Sequence, residues 1–240
     1  MTVVVYESPE TANTAAAGVL TTWLTNPSTR TVMVAAGHTP LKLYAEIAAL
    51  KLPLSHLTLL ALDEYLGVPL DEPRNCANLL RKSVAEPWGI PPLRFVALPS
   101  LEPGAEFAVR EQERRIAEAG GLDILILGLG QNGHLGFNEP GSLADSAGRV
   151  LDLQPISIEA NRQWFGGKYA PHRGVTVGLK TILAARRIVV LAYGPHKTAA
   201  VAAMVQGPVG AECPASFLQS HPCVQLFLDR SAASGLHATS

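Results

Sequence analysis

A histidine and a glutamate in a glycine-rich segment are the strongest chemical signal in this sequence. His134 and Glu139 lie within GLGQNGHLGFNEP, residues 128–140, directly after the apolar run at residues 123–128. Histidine is the side chain best suited to move protons near neutral pH, and a neighbouring carboxylate can orient the ring and stabilise its charged form. A lone histidine is more often structural, but an irregular segment at a strand end is not a core position. We therefore predict that His134 and Glu139 are catalytic.

The same segment matches a dinucleotide-binding pattern, which we discount. Gly128, Gly130 and Gly133 have the spacing GxGxxG. That fingerprint requires a helix to begin at its glycines. Here Gly136 and Pro140 follow closely, so we expect an irregular loop without a helix. No dinucleotide cofactor is predicted.

Two adjacent carboxylates follow another apolar run. Asp63 and Glu64 come directly after residues 57–62. Because neighbouring side chains of an extended segment point to opposite sides, one acid can face a pocket while the other fixes the loop. A carboxylate in that position can act as a general base. The alternative is an ordinary solvated loop.

Two segments have features of phosphate-binding sites. Gly37, His38, Thr39 and Pro40 follow an apolar run, and we expect Thr39 to cap a helix whose first residue is Pro40. Free backbone N–H groups at a helix N-terminus favour phosphate. Lys197 begins a second such helix and can add a point charge. The alternatives are an ordinary capped turn and a solvated lysine.

Short apolar runs alternate with helix-like stretches along the chain. Continuous rather than alternating runs are expected when both faces of a parallel sheet are covered. The fold predicted is α/β: a three-layer, doubly wound, mostly parallel sheet of Rossmann-like type, with its ligand site at the carboxyl ends of the strands. The predicted strands are residues 2–6, 31–36, 57–62, 123–128, 188–193 and 224–228, and the predicted helices are an apolar stripe of Leu43, Tyr44, Ile47 and Leu50, residues 106–119, and residues 197–205.

Composition limits the classes of protein to which the chain can belong. Its 240 residues are 48% hydrophobic and 16% charged, with a net charge of −1. This length and apolar content predict a single domain over residues 1–240 with a large core. The even charge distribution gives no sign of a nucleic-acid or membrane partner. Without a signal peptide or a long apolar run, we expect a cytoplasmic protein.

The cysteine pattern points away from disulfides and metals. Cys76, Cys213 and Cys223 are three in number, far apart, and form no CxxC pair. We expect buried, reduced thiols. No metal-ligand spacing joins them to the histidines.

Taken together, these segments resemble the glucosamine-6-phosphate deaminase family. The similarity extends from about residue 32 to residue 228. The endings Asp-Glu-Tyr and Asn-Glu-Pro are its most specific parts. The motifs that carry it are residues 37–40, residues 62–65 with Gly67 and Pro69, residues 132–140, residues 175–178 and residues 194–197.

Four further segments are similar to the bacterial galactosamine-6-phosphate deaminase/isomerase branch of this group. They are residues 75–76, 120–123, 173–180 and 214–218. The resemblance therefore implies an enzyme that isomerises and deaminates glucosamine 6-phosphate or its galactosamine epimer.

The resemblance also implies roles for individual residues. His134, oriented by Glu139 and Asn132, would move the proton that opens the sugar ring. Asp63 would take the C2 proton. A small phosphorylated amino sugar would be the partner, no cofactor or metal would be needed, and the protein would be a monomer or small homo-oligomer. The phosphate would be bound by Gly37, His38, Thr39 and Lys197.

The sequence departs from the family pattern at three positions. His38 replaces the second glycine of the phosphate loop, so its side chain can crowd or contact the ligand. Asn132 replaces an aspartate of some relatives and can orient His134 but not exchange a proton. A phosphate-binding arginine of some relatives aligns with Gln163, next to Arg162.

Two other classes of protein resemble this family or its fold, the 6-phosphogluconolactonases and the sugar-phosphate sensor domains of repressors. The 6-phosphogluconolactonases typically have Asp-Glu-Arg, so Tyr65 and the Asn-Glu-Pro ending at residues 138–140 argue against a lactonase. A sugar-phosphate sensor domain would not need Asp63, His134 and Glu139 together. Residues 141–171 show few clear periods, and we expect them to form a mobile lid.

Overall fold

The computed structural model describes residues 1–237, within which seven parallel strands form one sheet. The six strands predicted from apolar runs are all present, with ends displaced by at most two residues. The strands are β1 (Thr2–Tyr6), β2 (Thr31–Val34), β3 (Thr58–Ala61), β4 (Asp63–Tyr65), β5 (Phe95–Val96), β6 (Ile124–Gly128), β7 (Arg149–Asp152), β8 (Arg173–Thr176), β9 (Arg187–Ala192) and β10 (Val224–Asp229). The helices are α1 (Pro9–Leu24), α2 (Leu41–Ala49), α3 (Cys76–Leu80), α4 (Ala105–Glu118), α5 (Pro155–Trp164), α6 (Leu179–Leu183), α7 (Thr198–Gln206) and α8 (Arg230–Ala233).

Helices cover both faces of the sheet. Along β2, Val32 and Val34 pack into one apolar cluster with α1 and α2, whereas Met33 packs into the other with α4, α6 and α7. All three side chains are fully buried. Burying an aliphatic side chain of this size stabilises a fold by about 1.5–3 kcal/mol. The three-layer, doubly wound α/β fold predicted from the sequence is confirmed.

The charged helix predicted over residues 106–119 is α4, which ends at two glycines. Gly120 and Gly121 have φ angles of 91° and 110°. This conformation is open to glycine and strained for other residues. Their N–H groups donate to the carbonyls of Ala117 and Ile116 in the last turn.

The helix after β2 begins one residue later than predicted. The prediction that Thr39 caps it is wrong, because Pro40 occupies the N-cap position and no side chain caps the helix. The Pro40 carbonyl accepts the first helical hydrogen bond, from the Tyr44 N–H at 3.0 Å. Leu50 is also placed differently: it lies past the end of α2 and is 52% exposed, so the apolar stripe ends at Ile47.

The order of the strands creates a crevice near the middle of the sheet. The order is β1-β10-β9-β6-β2-β3-β5. From β2 the chain proceeds outward through β3 to β5, and from β6 it proceeds the other way through β9 to β10. The loops that follow β2 and β6 therefore diverge. Ligands of open α/β sheets bind at such a switch point, beyond the carboxyl ends of the strands.

A small antiparallel sheet, which the sequence analysis did not predict, lies beside this crevice. Its order is β4-β8-β7, and Asp63 of β4 is paired with Thr176 of β8. The Thr176 hydroxyl accepts a hydrogen bond from the Phe137 N–H at 3.2 Å. Gly136 packs so closely that a Cβ there would lie 2.7 Å from the same hydroxyl. The small sheet therefore connects the Asp63 segment to the loop that follows β6.

Two of the three cysteines are buried, as expected from the sequence. Cys76 and Cys213 are buried, Cys223 is partly buried, and all three are free thiols. Among residues 1–237, no helix combines the length and apolar character needed to cross a bilayer.

Candidate active site

A cavity of about 590 Å³ opens at the carboxyl edge of the sheet. Segments that follow β2, β3, β6 and β9 form its wall, and residues of α5 also line it. Two of the eight predicted site residues, Asn132 and Glu139, contact His134 instead of lining the cavity. The six that line the cavity are Gly37, His38, Thr39, Asp63, His134 and Lys197.

Strand β4 sends its two carboxylates in different directions. Asp63 lines the cavity, whereas Glu64 is fully buried. Glu64 accepts hydrogen bonds from the backbone N–H groups of Tyr65 at 2.8 Å, Cys76 at 3.1 Å and Ala77 at 2.8 Å. The last two belong to the first turn of α3, so Glu64 fixes the loop between β4 and that helix.

The environment of Asp63 makes its carboxylate a strong base. Asp63 is buried, with only 7% of its surface exposed. Burial, and then the charge of Glu64, raise the pKa of Asp63 to about 8. Neither cause involves a cation or a hydrogen-bond donor that would stabilise the ionised form. A general base works best when its pKa lies near the operating pH, and this carboxylate meets that condition.

His134 is held by polar groups of its own loop and by Ser157 of α5. Its Nδ1 lies 3.3 Å from Oε2 of Glu139 and 3.5 Å from Oγ of Ser157. Asn132 donates from Nδ2 to the same Glu139 oxygen at 2.7 Å, and its Oδ1 accepts from the His134 backbone N–H at 3.3 Å. These contacts engage Nδ1 and leave Nε2 as the ring nitrogen for a molecule in the cavity.

Glu139 stays ionised behind the histidine. Burial alone would raise its pKa, but the hydrogen bond and charge of His134, helped by Ser157 and Asn132, bring the pKa below its ordinary value. The Glu139 carboxylate at Nδ1 holds the ring in one orientation, with Nε2 available to exchange a proton with a molecule in the cavity.

A glycine makes room for the imidazole. A Cβ at Gly130 would lie 2.3 Å from Cδ2 of His134, well inside van der Waals contact. Gly130 therefore leaves the space that the His134 ring occupies. Residues 129–154, all described, contain no helix, as the sequence analysis predicted for this loop.

The loop after β2 presents a glycine and a histidine to the cavity. Gly37 has φ of 115°, which glycine adopts without strain. The His38 side chain is exposed and contacts Trp164 of α5 edge-to-face, with ring centroids 6.4 Å apart. Thr39 lines the cavity next to it. His38 therefore connects this loop to α5.

Lys197 reaches from the end of β9 to the loop after β6. Its Nζ donates to the Leu129 carbonyl at 2.6 Å. Burial lowers the pKa of Lys197 to about 8. An anion in the cavity would stabilise the charged ammonium and raise that pKa again. The position suits a phosphate group.

Arg162 and Gln163 of α5 do not line the cavity. Arg162 and Gln163 are exposed, and both contact Glu159, at 3.4 Å and 3.3 Å. Gln163 therefore does not supply the phosphate contact of the arginine with which it aligns.

Sequence reasoning did not identify the α5 residues that line the cavity. Residues 141–171 contain β7 and α5, not an irregular segment, and Ser157 and Trp164 line the cavity from α5. Pro155 at the first helical position was the available signal.

Tyr65 also lines the cavity and packs against Phe137, with ring centroids 4.9 Å apart.

The described part of the chain has no cluster of three or more His, Cys, Asp or Glu side chains arranged to hold a metal. The titratable groups that line the cavity are suited to proton transfer. Asp63 has only one carboxylate, Glu64, acting on it, and Nδ1 of His134 contacts Glu139. The site is therefore suited to acid–base chemistry on an anionic ligand.

Comparison with known proteins gives concordant results. A family model described as glucosamine-6-phosphate isomerases/6-phosphogluconolactonase matches residues 8–226. A glucosamine-6-phosphate deaminase of Cutibacterium acnes is 43% identical over 208 residues, which are 85% of this chain and 80% of that protein.

Two solved structures share the architecture. A monomeric glucosamine-6-phosphate deaminase is 29% identical, with a TM-score of 0.93 over 98% of this chain and 100% of that one. The 6-phosphogluconolactonase of Trypanosoma brucei, at 21% identity, has a TM-score of 0.78 over 98% of each chain and shares the fold. On this evidence the chain belongs to the family of glucosamine-6-phosphate isomerases and 6-phosphogluconolactonases.

Proposed function

We propose that this protein converts glucosamine 6-phosphate to the ketose 6-phosphate and ammonia. One observation carries the proposal: Asp63, His134 and Lys197 line a single cavity, and Glu139 contacts the His134 ring from outside it. Relatives named glucosamine-6-phosphate deaminase, at 35–43% identity, support the same activity.

Ring opening is the first step. Protonated His134, hydrogen-bonded to Glu139, donates its Nε2 proton to the ring oxygen as the bond between C1 and that oxygen breaks, and the neutral imidazole then takes the proton of the C1 hydroxyl. The products are the open aldehyde and a protonated imidazole. Asn132 keeps Glu139 in place for this exchange.

Proton transfer between carbons is the second step. Asp63 takes the C2 proton, and the electron pair forms a C1–C2 double bond next to the nitrogen. The π pair of the C1 carbonyl moves to its oxygen, which takes a proton from the protonated His134, and the imidazole recovers a proton when water later replaces ammonia at C2. Asp63 then returns the proton to C1, which leaves a C2 iminium. Water adds at C2 and ammonia leaves, giving the ketose. Because no net oxidation occurs, these steps assign no role to a cofactor.

Phosphate binding supplies the orientation. The backbone of Gly37, His38 and Thr39 and the ammonium of Lys197 would bind the phosphate. Binding energy from this remote group positions C2 against Asp63 and so lowers the barrier.

The decisive assay is ammonia release from glucosamine 6-phosphate and from galactosamine 6-phosphate, with 6-phosphogluconolactone hydrolysis measured in parallel. We expect deamination of glucosamine 6-phosphate, and the galactosamine result decides whether the C4 epimer is also a substrate. Lactone hydrolysis without deamination would refute the proposal. Tight sugar-phosphate binding without either activity would favour a sensor.

Three further properties remain predictions. We infer a single domain over residues 1–240, of which 238–240 lie outside the described residues, a monomer or small homo-oligomer, and a cytoplasmic enzyme. Sedimentation of the purified protein tests the second.

A further inference from the structure

Asn13 is a buried polar residue of the cavity wall that the proposed mechanism does not use. It lies in α1, is 1% exposed, and lines the cavity. Its Oδ1 accepts a hydrogen bond from the Tyr193 hydroxyl at 2.8 Å. Its Nδ2 is buried and has no hydrogen-bond partner among the described residues. A buried donor without an acceptor costs free energy, so its retention calls for an explanation.

Asn13 lines the same cavity as the two segments proposed to bind phosphate. The first turn of α1 is joined to the first turn of α2 by the ion pair of Glu10 and Lys42, at 2.7 Å. Helix α2 directly follows the loop of Gly37 to Pro40. On the other side, Tyr193 immediately precedes residues 194–197. Helix α1 is therefore joined to α2 by this ion pair and to the loop that carries Lys197 by the hydrogen bond of Asn13 and Tyr193.

The charges around this end of the cavity favour an anion. The first turns of α1 and α2 line the cavity, and helix N-termini carry partial positive charge. Lys197 adds a full charge. Three carboxylates lie near Tyr193. Glu10 is paired with Lys42, Asp229 accepts from the Gly194 and Ala232 N–H groups, each at 2.9 Å, and Glu46 of α2 does not line the cavity.

We propose that Asn13, oriented by Tyr193, is a further phosphate-binding residue whose Nδ2 donates to an oxygen of the substrate phosphate. The inference rests on the proposed function for the identity of that phosphate. Tyr193 acts as a positioning residue, because its hydroxyl occupies Oδ1 and so presents Nδ2 as the free donor.

The test is the binding of inorganic phosphate to the full chain by calorimetry, together with KM and kcat for glucosamine 6-phosphate. Asn13→Ala removes the donor, and we expect its phosphate dissociation constant and its KM to rise about tenfold, as for loss of a hydrogen bond to a charged group. Asn13→Asp keeps the size but adds a negative charge, and it should weaken binding further. Tyr193→Phe should weaken binding by a smaller factor.

Asn26→Ala is the matched control, because it also removes an asparagine that accepts hydrogen bonds, from Ser28, but in a turn outside the cavity wall. Phosphate binding by the Asn13 variants as tight as that of this control would overturn the inference, as would a wild-type protein that binds no phosphate. If Asn13→Ala does not fold, Tyr193→Phe and Asn13→Asp decide. Weakened phosphate binding in a protein without deaminase activity would refute the proposed function and spare the inference.

Discussion

Replacing Asp63 by asparagine should make the protein more stable and nearly inactive. The carboxyl has an ordinary pKa of 3.8 in an unfolded chain and about 8 in the folded one. A raised pKa means that the folded state holds a proton that the unfolded state has lost. Stability from this group is complete below pH 3.8 and is lost progressively as the pH rises to about 8.

The size of this effect follows from the difference between the pH and the pKa of the unfolded chain. At pH 7 that difference is about three units, and at 1.36 kcal/mol per unit the buried carboxyl lowers the free energy of unfolding by at most about 4 kcal/mol. Asparagine carries no charge but must also be desolvated, which costs about 1–3 kcal/mol. We therefore expect Asp63→Asn to raise the free energy of unfolding by about 2 kcal/mol at pH 7, with kcat reduced about 10²-fold or more.

Urea unfolding at pH 5, 7 and 8, with ammonia release measured on the same samples, checks both expectations. The stability gain should be small at pH 5 and largest at pH 8. Asp123→Asn is the matched control, since Asp123 is similarly buried but accepts from the Arg30 and Thr31 N–H groups and is paired with Arg186. Despite burial, these partners lower its pKa, so its replacement should destabilise. A gain for Asp63→Asn that does not vary with pH, or near-normal turnover, would refute the reasoning.

Three other changes separate the remaining parts of the site. Gly130→Ala should displace the His134 ring and reduce kcat about 10²-fold while phosphate affinity, measured by calorimetry, stays unchanged; weaker phosphate binding would contradict this. Lys197→Met should weaken phosphate binding. The affinity of the wild-type protein for phosphate should fall as the pH rises through about 8, where Lys197 loses its proton. An affinity that does not vary with pH would show that the Lys197 charge does not contribute to phosphate binding. Gln163→Ala should leave KM within about twofold, because Gln163 is exposed and contacts Glu159; a large rise in KM would show that α5 rotates on binding.

The sequence predicted the main sheet well because its strands are buried on both faces. Continuous aliphatic runs identify such strands regardless of tertiary context. Strand β5 is only two residues long, and β4, β7 and β8 contain polar residues at Asp63, Arg149 and Arg173, so hydrophobic periodicity does not reveal them. Their pairing is set by long-range contacts that no local pattern encodes.

The candidate site divides in the same way. Residue types and strand ends singled out His134 and the pair of Asp63 and Glu64, because the parallel topology gathers strand ends at one edge. The choice of Asp63 as the base came from the family resemblance. That Thr39 does not cap α2 could not be foreseen, since the cap position depends on where Pro40 places the first helical hydrogen bond. Nor could the sequence reveal Asn13, whose significance comes from a missing partner rather than from a motif.

The single threonine at the centre of the small antiparallel sheet has a consequence for local unfolding. Thr176 pairs with Asp63 and also accepts the N–H of Phe137, three residues after His134. Opening that three-stranded sheet would release Asp63 and the loop that carries His134 in one event, while the seven-stranded sheet stays closed. Asp63 and His134 therefore belong to one cooperative unit and should become disordered together rather than one at a time.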